Sequence, residues 1–599
     1  MKTQLTVIRP RATRFIGPAL ILLAAALATA PILLHGSYCG DDFEFHVVSW
    51  FDVQQSWAHG ILYPHWMTSA NYGAGEPRFM FYPPLAWMVG AALGLLLPWT
   101  LVPVVLVFLV LAATGLATRA LAREALADAP ATLAGCATLF SGFALFTAYE
   151  RTAFAELMGG FWIPLLLLFA LRDRKAGAPV WQRALDGSAL PLALAVAGCW
   201  LSDGPVGVMA SYLLAAVAVT ASLLARSWAL MLRATMAATL GIGLAGLYLI
   251  PAAREQGWVD LRAAVDLPVF RVENNFLFMR FADPQLARFT AFLDRASWLA
   301  IGMIGMTQAA ALVFWLRRRS ARQATTTVSR ALWIPLALIP CAVLLLLLPI
   351  SLPVWHLLPK LRFLQYPWRW VLVVEAPMAF FFAAAVWPKR ASRHLRTIVI
   401  TACCIAFLAS TFFAAKNFLR VCQEGDTVAD LLDSYRGGGG LEGTDEYEPP
   451  DTDHWKIAAG LPDACFVRDS DVTLGVADAD GAVPEWKTEQ HSCEATAIAQ
   501  TREPEHMRIA MTAPHEGFVI LKLASFPAWH VQVNGKPAEL ADPRDDGLIA
   551  VAVPQGPVTL TADWAITADV IAGRLVSGSA LLLLVGVGWL ERRHSARRV

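Results

Sequence analysis

Long apolar runs recur from near the N-terminus to the C-terminal tail, and only a bilayer accommodates so many of them in one chain. They lie at Phe15 to Leu34, Leu101 to Ala117, Ala131 to Ala148, Ala153 to Ala170, Leu190 to Leu201, Val206 to Ala225, Ala234 to Leu249, Trp298 to Leu316, Ala331 to Ile350, Trp370 to Trp387, Thr397 to Ala415 and Val570 to Leu590. Read as spanning helices they number about twelve, give or take two. Across 599 residues, 57% are apolar and only 16% charged, and the mean hydropathy is +0.51. That balance excludes a soluble protein of this size and predicts a polytopic α-helical membrane protein.

The net charge of +1 gives no support for a nucleic-acid partner, but the placement of the basic residues is informative. Pro83 to Leu97 is short, begins Pro83-Pro84, and reads as a juxtamembrane or re-entrant helix. With that segment not crossing, every strongly basic connection falls on one side. These are Arg9, Arg11 and Arg14; Arg119 and Arg123; Arg172, Arg174 and Lys175; Arg226 and Arg233; Arg317, Arg318, Arg319 and Arg322; Lys389, Arg390, Arg393 and Arg396; and Arg592, Arg593, Arg597 and Arg598. The positive-inside rule makes that side the cytoplasm and puts both termini there. A cleaved signal peptide ending at Ala28-Thr29-Ala30 fits less well, because the apolar stretch is long and Pro31 would follow the cut. Either way the next loop lies outside.

The expected organisation is a transmembrane domain over 1–415 with a large first outer loop at 35–82, an outer domain over 416–566, and a last span with a basic tail over 567–599. Alternating stretches such as Phe518 to Leu523 and Trp529 to Val533, with hairpin signals at Asn534-Gly535 and Asp546-Gly547, predict a β-rich, sandwich-like outer domain. Four of the nine cysteines, Cys39, Cys422, Cys465 and Cys493, fall outside. Cys465 with Cys493 is the favoured disulfide and Cys39 with Cys422 the weaker pairing. No CxxC, HExxH, GxGxxG or Walker motif is present. Nor is there the internal repeat that secondary transporters often carry.

Chemistry-bearing residues gather at the outer ends of the spans. Gly40-Asp41-Asp42-Phe43-Glu44-Phe45-His46 follows the first span directly, and carboxylates at a bilayer surface are costly unless they face water, a cation or a polar substrate. Asp42 and His46 share a face if a helix begins at Asp41. Either aspartate could simply cap that helix. Alternatively, one acts as general base toward an acceptor hydroxyl or amine, with the pair as a candidate site for a divalent cation, Mg or Mn. Tyr63-Pro64-His65-Trp66 and the run from Asn71 through Glu76 to Tyr82 and Pro84 add aromatics suited to an interfacial belt or to a sugar. Arg151 sits at the outer mouth of a span, and Glu156 about a turn inside the next apolar helix, where it needs a partner. Their spacing is not an ideal helical one. Asp203, in Ser202-Asp203-Gly204-Pro205, reads as a turn or cap residue. Gln365-Tyr366-Pro367-Trp368-Arg369 puts a guanidinium at another outer mouth, a clamp for phosphate or diphosphate, with His356, Lys360 and Arg362 nearby.

These segments resemble a family of large bacterial membrane proteins, YfhO-like and labelled "6-pyruvoyl-tetrahydropterin synthase-related", similar in turn to GT-C glycosyltransferases. The resemblance rests on Asp42 with His46, Tyr63-Pro64, Asn71-Tyr72-Gly73 through Pro83-Pro84, Arg151 with Glu156 before Pro164, Gln365 to Arg369, Glu446-Tyr447 with Pro449, and Phe526-Pro527-Ala528-Trp529 before Asn534-Gly535-Lys536. It implies a GT-C-like fold and sugar transfer from a polyprenyl-phosphate donor to a cell-envelope glycan, lipid or protein, at the periplasmic face of the bacterial inner membrane. Asp42 would be the catalytic carboxylate and Asp41 the second choice. Arg151, Arg369 and His46 would bind the donor phosphate, and Glu76, Tyr82, Glu156 and Gln365 would contact substrate. The pterin label finds no metal-binding histidine cluster in this chain. The third-span motif and the turn Ser202-Asp203-Gly204-Pro205 depart from the family's His-Asn-Pro-like pattern, so acceptor specificity does not carry over. Two rival readings are a non-enzymatic lipid or glycan transporter coupled through Glu156, and an assembly or sensor protein whose β domain binds glycan.

Overall fold

The computed structural model describes residues 13–36, 39–320, 328–388, 392–438, 440–450, 452, 457, 461–470 and 493–596. Of the basic residues used for topology, Arg9, Arg11, Arg322, Lys389, Arg390, Arg597 and Arg598 lie outside them. Among the described residues nine helices are long and apolar enough to cross a membrane, or eleven if two sharply bent pairs each count as one span. The molecule is a multi-pass membrane protein.

Three segments differ from straight spans, each for a local reason. The run at Leu190 to Leu201 forms a helix of 14 residues, Ala189–Ser202, about 21 Å long and too short for a hydrocarbon core of about 30 Å. The run at Ala234 to Leu249 breaks: Ala229–Leu244 and Gly246–Trp258 meet at 70°, with Pro251 inside the second piece. Arg330–Leu346 turns by 90° into Pro349–Leu357, and Pro349 opens the new turn. Pro84–Gly94, at 11 residues, is likewise too short to cross.

The β region comprises β1 (Ala464–Val467), β2 (Ala495–Thr496), β3 (Ala499–Glu503), β4 (His506–Ala513), β5 (Gly517–Ala524), β6 (Trp529–Val533), β7 (Lys536–Pro537), β8 (Leu548–Val553) and β9 (Gly556–Trp564). One sheet runs β2-β1-β5-β8 and the other β3-β4-β9-β6-β7. Inward residues of both, Phe466, Val519, Leu521 and Val551 from one and Ile509, Val531, Leu560 and Ala562 from the other, share one apolar core. Asn534 and Gly535, both at positive φ, turn β6 into β7 with Val533 opposite Lys536. Asp546-Gly547 does not close a two-residue hairpin. Asp546 accepts from the Leu548 N–H and pairs with Arg544, inside a longer loop whose flanks meet at Leu540 and Val551.

The first loop is built into this sandwich. Trp66 is 2% exposed among Phe526, Trp529 and Trp564, and Ala524 N–H donates to Ala74 O at 2.9 Å. His65 meets Glu505 at 2.9 Å. Farther along, Leu441 donates to Ser69 O and receives from Tyr72 N–H. Disulfides join Cys39 to Cys422 and Cys465 to Cys493, so the start of the first loop is tied to the exit of helix Arg393–Phe418.

Candidate functional site

Helix Phe43–Ala58 begins one residue after Asp42, which holds the N-cap position without a side-chain capping bond. Its backbone there, φ −102° and ψ 9°, lacks the extended conformation that swings a cap side chain over the first turn. The Asp42 main chain is instead fixed by donating to Arg151 O at 3.0 Å. Gly40 allows this crossing, because a Cβ there would lie 2.2 Å from Glu150 O. The Asp42 carboxylate stays 41% exposed, its nearest cation the Arg151 Nη2 at 3.8 Å. Asp41 is spent elsewhere: its Oδ1 lies 2.8 Å from Arg420 Nη1, and Arg420 also holds Glu150 at 2.9 Å, which Arg295 grips from the other side. Burial raises the Asp41 pKa, with Arg420 opposing and Asp42 adding.

Glu156 organises the arginines. Its Oε2 lies 2.8 Å from Arg151 Nη1 and 3.3 Å from Arg369 Nε, so one buried carboxylate holds two guanidiniums. The five-residue separation that is poor within a helix works here because the chain is not helical throughout. Thr147–Arg151 forms a wide π-type turn, Thr152 adopts a left-handed conformation, and Phe154–Leu171 starts afresh. Aromatic faces complete the seat, with Arg151 4.9 Å over Trp368 and Arg369 5.0 Å over Tyr366. Arg369 also donates to Leu364 O at 3.1 Å.

Asp203 does cap its helix, accepting from Val206 N–H at 2.8 Å, as the turn reading expects. It also faces the charged cluster. Burial raises its pKa to about 6, Glu156 adding and Arg369 opposing. Glu446 joins from the segment before the sandwich: Gln365 Nε2 lies 3.4 Å from its Oε1, and burial raises its pKa against the pull of Arg369. In the sequence Glu446 stands only in the Glu446-Tyr447 motif, with nothing nearby that ties it to the site. Its proximity to a residue 81 positions earlier has no local signal.

The other site candidates divide. Tyr82 lies beside Phe45 and His46, within electrostatic reach of Asp203 and Asp42, and belongs to the cluster. Gln365 does too, although its amide also donates to Ala264 O at 2.8 Å. His46 does not present a charge to a phosphate. It is 1% exposed among Trp50, Tyr82 and Phe154. Burial, with Arg78 and Arg151 adding, pushes its pKa down to about 3 and keeps the ring neutral. Glu76 is a structural tie: fully buried, it pairs with Arg78 at 2.5 Å and accepts from Thr444 N–H at 2.9 Å. His356, Lys360 and Arg362 are engaged by Glu273, Gln256 and Asp266.

Asp41 and Asp42 are the expected site for a divalent cation. Arg420 and Arg151 face them, and no group of three His, Cys, Asp or Glu suited to a metal occurs among the described residues.

No protein-family model matches the chain, and no curated protein matches it. Among solved structures it is similar to an apo oligosaccharyltransferase from Archaeoglobus fulgidus, at 12% identity and a TM-score of 0.41 over 74% of this chain and 62% of that one. It is similar to the same enzyme tethered by a disulfide to an acceptor peptide containing the NVT sequon, at 11% identity and 0.37 over 73% and 60%. It is also similar to ArnT from Cupriavidus metallidurans bound to undecaprenyl phosphate, at 15% identity and 0.29 over 86% and 99%. The chain thus spans less than two thirds of the oligosaccharyltransferase's length.

Proposed function

We propose that this protein is a membrane glycosyltransferase that moves a sugar from a polyprenyl-phosphate-linked donor to a cell-envelope glycan, lipid or protein. The reaction would occur at the periplasmic face of a bacterial inner membrane, with both termini cytoplasmic. The observation that carries this reading is the contrast between two adjacent aspartates: Asp41 lies 2.8 Å from Arg420, whereas Asp42 heads its helix uncapped with its nearest guanidinium, Arg151, at 3.8 Å.

In the proposed step Asp42 takes the proton of an acceptor hydroxyl or amine. The acceptor heteroatom bonds to the anomeric carbon as that carbon's bond to the phosphate oxygen breaks. The electron pair leaves with the polyprenyl phosphate, whose added negative charge Arg151 and Arg369 neutralise. Glu156 acts on those arginines, holding both forks in place before substrate arrives, and is a positioning residue. Asp203, Glu446, Gln365 and Tyr82 line the same region and offer hydrogen bonds to sugar hydroxyls.

Asp42→Asn is the direct test. With purified protein and a labelled polyprenyl-phosphate sugar, release of polyprenyl phosphate is expected to fall by about 10²–10⁴-fold, with expression intact. Unchanged product would sink the assignment. Against the transport reading stands the pairing of Glu156 with two guanidiniums. Uptake or flipping of the lipid without bond cleavage is the result that would favour it.

A further inference from the structure

A cleft lies away from the Asp42 cluster. It has a volume of about 600 Å³ and opens between helix Phe43–Ala58, helix Val428–Arg436 and the sandwich, within the range of small-molecule sites. Asp52, on its wall, follows Asp42 by ten residues, which is about 15 Å along the helix axis and about 80° around it. The two carboxylates therefore serve different surfaces.

The polar groups on the walls are held in place before any ligand binds. Asp52, 3% exposed, accepts from Ser69 N–H at 3.0 Å and Ser69 Oγ at 3.1 Å. Tyr435 O–H reaches it at 2.8 Å and contacts Gln55 as well. Opposite, Arg502 binds Asp463 at 3.1 Å and the Gly73 carbonyl, and Lys522 Nζ lies 3.7 Å from the same carboxylate. Burial lowers the pKa of Arg502 and of Lys522, Asp463 opposing in each case. Gln55 and Gln500 stand exposed on the rim.

Charge sorts the ligand classes. Among the described residues two carboxylates, Asp52 and Asp463, face two cations, Arg502 and Lys522, so neither an anion nor a metal cation meets a surplus of the opposite sign there. Leu461, Pro462 and Ala497 add apolar wall between these polar groups. A polyol suits the mixture, because each hydroxyl can donate to a carboxylate or amide oxygen and accept from an amide, ammonium or guanidinium N–H. The Tyr435 ring supplies an aromatic face for a sugar's C–H side.

We infer that this cleft is a binding site for a neutral glycan, separate from the Asp42 cluster and independent of whether that cluster transfers sugar. The probe is a set of uncharged oligosaccharides, cellohexaose, maltohexaose and chitohexaose, titrated into the full-length protein in detergent and followed by native mass spectrometry and saturation-transfer NMR. Wild-type protein is expected to bind at least one of them. Losing two or three neutral hydrogen bonds in the rim variant Gln55→Ala/Gln500→Ala should weaken that binding by about tenfold or more. Asp42→Asn should leave it unchanged. Absence of binding by all three, or binding indifferent to the rim variant, overturns the inference, as does preferential binding of inorganic phosphate or an unrelated acidic peptide at this cleft. Those results leave the transferase reading intact, and loss of transfer in Asp42→Asn says nothing for or against the cleft.

Discussion

At the residue scale, some charges are locked in close buried pairs, whereas Asp42 has its nearest guanidinium only at 3.8 Å. Glu156 belongs to the first kind. Removing its charge leaves two guanidiniums, 5% and 13% exposed, without their shared partner, which for a broken buried pair costs about 3–5 kcal/mol. Glu156→Gln is therefore expected to lower the thermal midpoint in detergent well below that of Asp42→Asn, whose carboxylate is half in solvent. Equal midpoints would contradict the division. His46 gives a pH prediction. Its folded pKa of about 3 lies below the value of about 6.5 of an unfolded histidine. Between those limits the unfolded chain binds the extra proton, so stability falls as pH drops through that window, by up to about 1.4 kcal/mol per pH unit. Above it the effect vanishes. Thermal midpoints from pH 7 to pH 4 should fall more steeply for wild type than for His46→Phe, and parallel curves would refute the assignment.

At the element scale, the segment leaving helix Val428–Arg436 is threaded tightly against the first loop. Gly440 sits at φ +69°, where a Cβ would lie 2.3 Å from the Tyr72 backbone carbon. Gly440→Ala faces both a strained conformation and a backbone clash. Limited proteolysis of that variant should open cleavage between the helix and the sandwich, and an unaltered digestion pattern would show the packing to be looser than described. The element types were largely legible in the chain, because the apolar runs and the alternation of Phe518 to Leu523 report directly on burial. Their interruptions were less so. Pro251 and Pro349 were visible, but whether a proline kinks a span or ends it depends on what packs around the freed carbonyls. The 14-residue Ala189–Ser202 had an apolar run that local composition alone could not distinguish from a crossing.

At the scale of the molecule, the first loop and the sandwich fold as one body. Trp66 lies in the sandwich core, so Trp66→Ala should destabilise it by about 3–5 kcal/mol, and excising 416–566 should disrupt the loop carrying Asp42 along with any glycan binding. Topology is open to a direct test. Arg174→Cys and Lys536→Cys, both exposed, should react with an impermeant maleimide from opposite sides of the membrane, and labelling from the same side would overturn the orientation. By itself the sequence determined that the chain crosses a bilayer repeatedly, that a β-rich segment follows residue 415, and that carboxylates, arginines and aromatics crowd the ends of several spans. Hydropathy, alternation and charge are properties of short windows, so a chain displays them without folding. Only the tertiary structure decided which carboxylate a guanidinium holds at close range. Arg420, which takes Asp41, is 379 residues away, Arg295, which helps hold Glu150, is 145 residues from it, and Arg369 reaches Glu156 only when separate spans pack together. Ion pairing falls off over a few ångströms, and no window of sequence measures that distance.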